Sequence, residues 1–393
     1  MNTPKLRFKE FNDEWEEKKL EDVGEIITGK TPSTKEKKYW NGNIQFITPT
    51  DMQGTKYQYV TERTVSKEIK MEFLPIGTIL FVCIGATIGK MALTFKEAIT
   101  NQQINSIKVS NIFNNEYIYY SLLKKVNEIR VLKANTTMPI INKTEFSQIA
   151  IKVPKSPQEQ QKIANFLSSI DRKIELSEEK LENFREYKKG IMQKIFNQEL
   201  RFKNENENDY PEWEEKYLGE IGEIITGKTP STKDEKNWNG SIQFVTPTDI
   251  NDNKYQKYTQ RKVSENIKMK ILPIGTIMFT CIASIGKMSI STEKCITNQQ
   301  INSIIVNEDI YNEYIYYALL NLVPKIKASQ STTTLPIINK TEFSKFMINL
   351  PCLEEQKKIV DFLSAIDSKI EKLSDELENL KEFKKGLLQQ MFV

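Results

Sequence analysis

From Glu159 to Phe196 the chain runs without a proline, and Ile163, Leu167, Ile170, Ile174, Ser177, Leu181, Phe184, Lys188, Ile191 and Ile195 step alternately by four and three. Eight of those ten positions are apolar, a spacing that predicts a long α-helix with a coiled-coil seam. The same register returns as Ile359, Leu363, Ile366, Ile370, Leu373, Leu377, Leu380, Lys384, Leu387 and Met391, with nine apolar. A helix of this length spans about 57 Å, and its stripe demands cover from water. An antiparallel pair is the expected cover, with Ile163, Leu167, Ile170, Ile174, Leu181 and Phe184 facing Ile359, Leu363, Ile366, Ile370, Leu377 and Leu380. A helix that merely covers its own domain is the competing arrangement. Lys188 and Lys384 interrupt both seams at equivalent places, which either sets the register or opens the pair to a partner.

The rest of the chain has a shorter period. Ile44–Thr48, Thr78–Ile84 and Ile104–Val109 read as strands, Asn41-Gly42 as a turn and Glu116–Val126 as a helix. This α+β unit is written twice. Glu14–Asp51 returns as Glu212–Asp249 with 29 of 38 positions identical, and ITNQQINSI, NEYIYY and the TTMPIINKTEFS block recur downstream. The boundaries that follow are globular units at 1–155 and 200–350, with long helices at 156–199 and 351–393.

Composition removes whole classes of chemistry. The 393 residues include no histidine, and the four cysteines (Cys83, Cys281, Cys295, Cys352) form no CxxC. Ser/His/Asp and Cys/His catalysis, histidine-bearing metal sites and zinc fingers are excluded, and no disulfide framework is expected. No apolar run approaches the roughly 18 residues of a membrane span, so a cytoplasmic chain with no membrane partner is expected. Net charge is only +4, yet Val23 to Lys155 holds 18 basic side chains against 10 acidic, and the matching stretch of the second copy is also basic. Such an excess attracts phosphate.

Gly24–Thr31 and Gly222–Thr229 both satisfy GxxxxGK[ST]. A phosphate cradle needs small residues, whereas Ile26-Ile27 and Ile224-Ile225 are β-branched and favour a strand. Lys30, Thr31, Ser33, Thr34 and Lys35, with Lys228, Thr229, Ser231, Thr232 and Lys233, read better as loop donors to a DNA backbone. Small residues before Lys90 and Lys287 suit a tight turn, either a close approach to DNA or an ordinary strand connection. Asn101, Gln102 and Gln103, repeated as Asn298, Gln299 and Gln300, either read adenine or serve as buried structural amides. MQGTKYQYV at Met52 becomes INDNKYQKY at Ile250 within matching surroundings, which marks a loop free to diverge. Lys56, Tyr57, Lys254 and Tyr255 persist through it and count as DNA-binding candidates. A second divergent stretch pairs residues 127–135 with 324–332. Arg63, Arg130 and Arg261 are the arginines well inside the globular units, hence the first candidates to read guanine. No catalytic residue, cofactor fingerprint or metal cluster is legible, and Asp51 and Asp249 read as turn or cap residues.

Taken in order, these motifs resemble the specificity subunits of type I restriction-modification systems. The resemblance spans nearly the whole chain. It rests on Glu14-Trp15-Glu16 followed by GxTPS, on the IGK turn, and on the proline, EQ, I, L, D pattern of VPKSPQEQQKIANFLSSID from Val153 and LPCLEEQKKIVDFLSAID from Leu350. It implies two mixed α/β target recognition domains separated by an antiparallel two-helix coiled coil with pseudo-two-fold symmetry. Each domain would read one half of a bipartite duplex, and the helices would set the spacer and dock modification subunits, two in number. S-adenosylmethionine, ATP and magnesium would lie on the modification and restriction subunits, leaving this chain non-catalytic and without a cofactor. The likeness of the two copies implies near-symmetric half-sites in opposite orientation, about one helical turn apart. Two other functions stay open: a nucleotide hydrolase using Lys30 and Lys228, and a coiled-coil scaffold that never touches DNA.

Overall fold

The computed structural model describes residues 3–133, 139–251, 253–330 and 337–393. The ends of the second divergent stretch and the threonine-rich start of TTMPIINKTEFS and its repeat lie outside the described residues. Two compact units result, Met1–Lys180 with Ser374–Val393, and Leu181–Leu373. Each therefore takes part of both long helices, which differs from globular units and helices taken as separate segments.

The first unit contains β1 (Glu16–Lys19), α1 (Leu20–Val23), β2 (Gly24–Thr28), β3 (Trp40–Ile47), β4 (Tyr57–Gln58), β5 (Arg63–Val65), β6 (Ile79–Val82), β7 (Met91–Thr94), β8 (Ala98–Thr100), β9 (Ile104–Val109), α2 (Asn115–Lys133), α3 (Lys143–Ser147), β10 (Ala150–Val153) and the start of α4 (Pro157–Phe196). A five-stranded sheet of order β2-β9-β6-β7-β4 faces a three-stranded sheet of order β5-β3-β8, and β1 pairs with β10. Only β3/β8 and β4/β7 run parallel among these pairs.

Strand β6 shows why its apolar run is unbroken. Leu80 and Val82 join Ile47, Met52, Leu74 and Ala92 between the two sheets, while Phe81 stacks on Phe146 of α3 at 4.9 Å from the other face. A sheet covered on both sides needs apolar residues in both phases. Asn41-Gly42, expected as a turn, instead lies inside β3. Pairing with β5 jumps from Trp40↔Val65 to Ile44↔Val65, and Asn41 takes φ 61°, so the dipeptide forms a bulge.

The second unit repeats the plan in β11 (Glu214–Tyr217), α5 (Leu218–Ile221), β12 (Gly222–Thr226), β13 (Trp238–Val245), β14 (Tyr255–Gln256), β15 (Arg261–Val263), β16 (Ile277–Thr280), β17 (Met288–Ser291), β18 (Cys295–Thr297), β19 (Ile301–Val306), α6 (Asn312–Gln330), α7 (Lys340–Ser344), β20 (Met347–Leu350) and the start of α8 (Leu353–Met391). Its sheets keep the same orders, β12-β19-β16-β17-β14 and β15-β13-β18.

Two of the repeated motifs meet at the start of each long helix. Glu159 is buried and accepts Arg7 Nε at 2.7 Å and Trp15 Nε1 at 3.2 Å; Gln160 donates to Pro154 O at 3.0 Å and accepts Asn114 N–H at 2.9 Å. Glu355 repeats this with Arg201 and Trp213 at 2.9 Å each. The EW and EQ motifs are thus two halves of one latch that docks helix to domain. The seam also serves the domains. In the second unit Ile359, Leu363 and Ile366 lie in one core with Tyr314, Tyr317 and Phe343, and Met192, Ile195 and Phe196 from the end of α4 close it. Pairing and domain cover are therefore combined in this stretch, with about 2 kcal/mol of apolar burial for each large side chain. Of the twelve residues expected to face each other, Phe184, Ile370 and Leu380 are half-buried and the others buried.

Candidate nucleic-acid interface

Several residues expected to face DNA turn inward. Lys56 is buried, with its ammonium 2.8 Å from Glu116 and donating to Ser168 Oγ at 2.7 Å, while the Tyr57 hydroxyl donates to the same carboxylate. Glu116 also accepts from Ser168 at 2.6 Å. Tyr120 donates to Asp171 at 2.5 Å, and Asp171 pairs with Lys384 at 2.5 Å. The second unit builds the same chain: Lys254 to Glu313 and to Ser364 at 2.9 Å, Tyr255 to Glu313 at 2.6 Å, Tyr317 to Asp367 at 2.6 Å, and Lys188 to Asp367 at 2.5 Å. Lys56, Tyr57, Lys254 and Tyr255 are accordingly struts between the divergent loop, α2 or α6, and the long helices. Each thus has a partner within the protein, although the Tyr255 ring itself stays exposed. Burial would raise the Glu116 carboxyl, yet hydrogen bonds from Lys56, Ser168 and Tyr57 outweigh it and hold the group below its ordinary value. Burial first, and then the bond to Glu116, pushes the Tyr57 hydroxyl well above its usual range.

The IGK turn also faces the protein. Gly89 has φ +81° and a side chain there would meet Val126 Cγ1 at 2.7 Å, so the close approach is to α2 and not to a ligand. Arg130 Nε donates to Ile88 O at 2.9 Å, and Lys90 Nζ to Met52 O at 3.2 Å, which commits both to tying the turn down. Lys287 is exposed. Asn101 is buried and exchanges two hydrogen bonds with Gln103, at 2.9 and 3.1 Å, as Asn298 does with Gln300. Asn101 and Asn298 are buried as the structural-amide alternative expects, Gln103 and Gln300 are half-buried, and Gln102 and Gln299 stay exposed.

The GxxxxGK segments are not phosphate cradles. Gly24–Thr28 is strand β2, paired residue by residue with β9; Gly29 N–H donates to Ile104 O at 3.0 Å and Lys30 N–H to Thr100 O at 2.8 Å. Those amides are spent inside the sheet. Gly29 is required because a Cβ would fall 2.1 Å from Asn101 O.

Most of the candidates that remain outward form one connected cluster in each unit, apart from the exposed Arg130, Tyr255 and Lys287. Lys30, Ser33, Thr34 and Lys35 are exposed on the loop after β2, and Thr31 Oγ1 donates to Gln102 Oε1 at 2.9 Å. Trp40 Nε1 donates to Ser33 O at 3.1 Å, which staples the far end of the loop to β3. The Arg63 guanidinium lies 3.6 Å from the centre of the Trp40 ring. The second unit matches, with Lys228, Ser231, Thr232 and Lys233 exposed, Thr229 on Gln299 at 2.8 Å, Trp238 on Ser231 O at 3.1 Å and Arg261 over Trp238 at 3.6 Å. Sequence reasoning missed Trp40 and Trp238, although both stand beside Asn-Gly in the longest block of the repeat. A lysine-bearing loop ending in a stacked arginine offers phosphate donors beside a planar donor fan. Among the described residues no group of acidic, cysteine or histidine side chains could hold a metal ion.

The type I restriction modification DNA specificity domain matches residues 12–184 and again 210–382. The chain belongs to that family. It is similar to the type I restriction enzyme MjaIX specificity subunit of Methanocaldococcus jannaschii, 27% identical over 96% of this chain and 92% of the relative. Against the HindI specificity subunit of Haemophilus influenzae it is 32% identical, over 42% of this chain and 38% of the relative. A crystal structure of the type I restriction-modification S subunit from M. genitalium covers 100% of this chain and 99% of its own, at TM-score 0.62 and 19% identity, a likeness of fold. This specificity subunit therefore carries its family domain twice, and each match takes in one globular half together with most of the long helix that follows it.

Proposed function

We propose that the chain reads DNA without performing chemistry: each domain reads one half of a bipartite duplex target, and the paired helices fix the spacing and dock two modification subunits. In this reading S-adenosylmethionine, ATP and magnesium act on the modification and restriction subunits, and the assembly works in the cytoplasm. The observation that carries it is duplication of the outward cluster. The lysine loop, the Thr–Gln pair and the Arg–Trp stack occur once per unit on equivalent elements, while Lys56 and Lys254 are committed to internal acids. A scaffold that never touched DNA would have no need to keep a solvent-facing arginine on the same tryptophan twice.

The test is a gel shift of the chain assembled with its modification subunits on duplexes carrying the motif found by methylome sequencing with and without the gene. Binding should require both half-sites and weaken steeply with salt, the logarithmic slope growing by about 0.9 for each phosphate neutralised. Binding that ignores sequence, or that is insensitive to salt, would overturn the proposal.

A further inference from the structure

The chain has seven arginines. Arg7 and Arg201 clamp Glu159 and Glu355, Arg130 donates to Ile88 O, and Arg172 and Arg185 pair with Glu175 and Glu182 along the helix. Arg63 and Arg261 alone have neither an ion-pair partner nor a hydrogen-bond acceptor for the guanidinium among the described residues. These two occupy equivalent positions at the start of β5 and β15, both are exposed, and both guanidinium carbons lie over an indole at 3.6 Å from its centre, with Phe46 or Phe244 at 5.6 and 5.9 Å. The indoles are themselves fixed, by Nε1 bonds to Ser33 O and Ser231 O and by edge contacts to Phe46 and Phe244 at 5.2 and 5.3 Å. Stacking restrains a guanidinium while leaving its in-plane donors free, which is the state that a paired hydrogen bond to guanine O6 and N7 requires.

We propose that Arg63 and Arg261 each read a guanine, at the corresponding position of the two half-sites, and that Trp40 and Trp238 are positioning residues that aim them. The inference rests on the DNA-reading function proposed above and adds the base and the side chain that reads it. It also explains an asymmetry within the outward cluster. The lysines stand on a loop and suit phosphate, whereas the arginines stand on strands, where a fixed direction can discriminate bases.

The experiment is methylome sequencing with the full chain and its modification subunits. Arg63→Ala should relax one G·C position in one half of the motif, with roughly ten- to hundredfold loss of discrimination there, and leave the other half unchanged. Arg261→Ala should do the same in the other half. The unaltered half of each variant reports that the chain still folds and assembles, and Arg63→Gln, which retains a planar polar group, repeats the test should alanine lower assembly. Trp40→Phe should keep the guanine and Trp40→Ala should relax that same position. Uniformly reduced methylation with an intact motif in Arg63→Ala and Arg63→Gln would overturn the inference while leaving the DNA-reading function standing. A wild-type complex that methylates no bipartite motif would remove both.

Discussion

Lys384 Nζ stands 2.5 Å from Asp171 Oδ1, so the lysine that breaks the apolar seam of α8 meets an acid on α4 that also accepts the Tyr120 hydroxyl. Lys381 pairs with Glu178 at 2.6 Å in the same unit, so these partners advance along α4 while they retreat along α8, as antiparallel helices require. Lys188 and Asp367 repeat the pair within the second unit at 2.5 Å. Of the two roles open to the seam lysines, setting the register is the one this geometry supports.

Lys384→Met should therefore destabilise the first unit, because it leaves Asp171, whose side chain is 10% exposed, without its cation. A cost of about 2–4 kcal/mol is expected, a drop of several degrees in melting temperature. Asp171→Asn keeps an acceptor for Tyr120 and removes the charge, so the double variant should recover much of the loss. A thermal melt of Lys384→Met indistinguishable from wild type would show that the pair contributes nothing.

Glu116 makes stability depend on acid. Its carboxyl sits below the ordinary value of 4.5 because Lys56, Ser168 and Tyr57 hold the ionised form against the opposing effect of burial. A group whose folded pKa is depressed contributes stability that is full above its unfolded value and disappears as pH falls through the folded one. Wild type should lose stability below about pH 4.5, and Glu116→Gln should be weaker at neutral pH with a flatter profile across that acid window. Parallel melting curves against pH for the two proteins would contradict the assignment.

The outward and inward lysines separate by what they change. Replacing Lys30 and Lys35 by alanine should weaken DNA binding for every sequence alike and lower the salt slope by up to about 2, one for each phosphate left unneutralised, with the melting temperature unchanged. Lys56→Met should do the reverse, lowering the melting temperature and leaving the salt slope of the surviving protein alone. A reduced slope in Lys56→Met would return that residue to the interface.

The long helices are legible in the sequence because a seam kept over ten positions has no other explanation, and β9 falls on the predicted Ile104–Val109. Asn41-Gly42 misleads because a bulge and a turn between elements ask for the same positive-φ residue, and only the pairing with Val65 tells them apart. Lys56 misleads for a different reason. Its partners, Glu116 and Ser168, are remote in sequence, and a lysine held through a divergent loop looks the same whether it serves a ligand or a buried acid. Arg63 stands out by residue type alone; that it rests on Trp40 depends on β3 and β5 lying side by side, which no local spacing reveals.

Helix length should set the gap in the DNA target. α4 runs unbroken from Pro157 to Phe196 and α8 from Leu353 to Met391, so removing seven residues shortens a helix by about 10.5 Å while preserving the apolar phase. A deletion in α4 alone, between Glu175 and Glu186, would leave one helix longer than the other and strain the pairs at Asp171 and Lys188. Matched seven-residue deletions in both helices avoid that mismatch. Since stacked base pairs rise about 3.4 Å each, the spacer between half-sites should contract by about three base pairs, with both half-site sequences retained. Methylome sequencing of the doubly shortened chain measures this directly. An unchanged spacer would show that the helices do not set the gap, and altered half-sites would show that they hold the recognition surfaces as well as separate them.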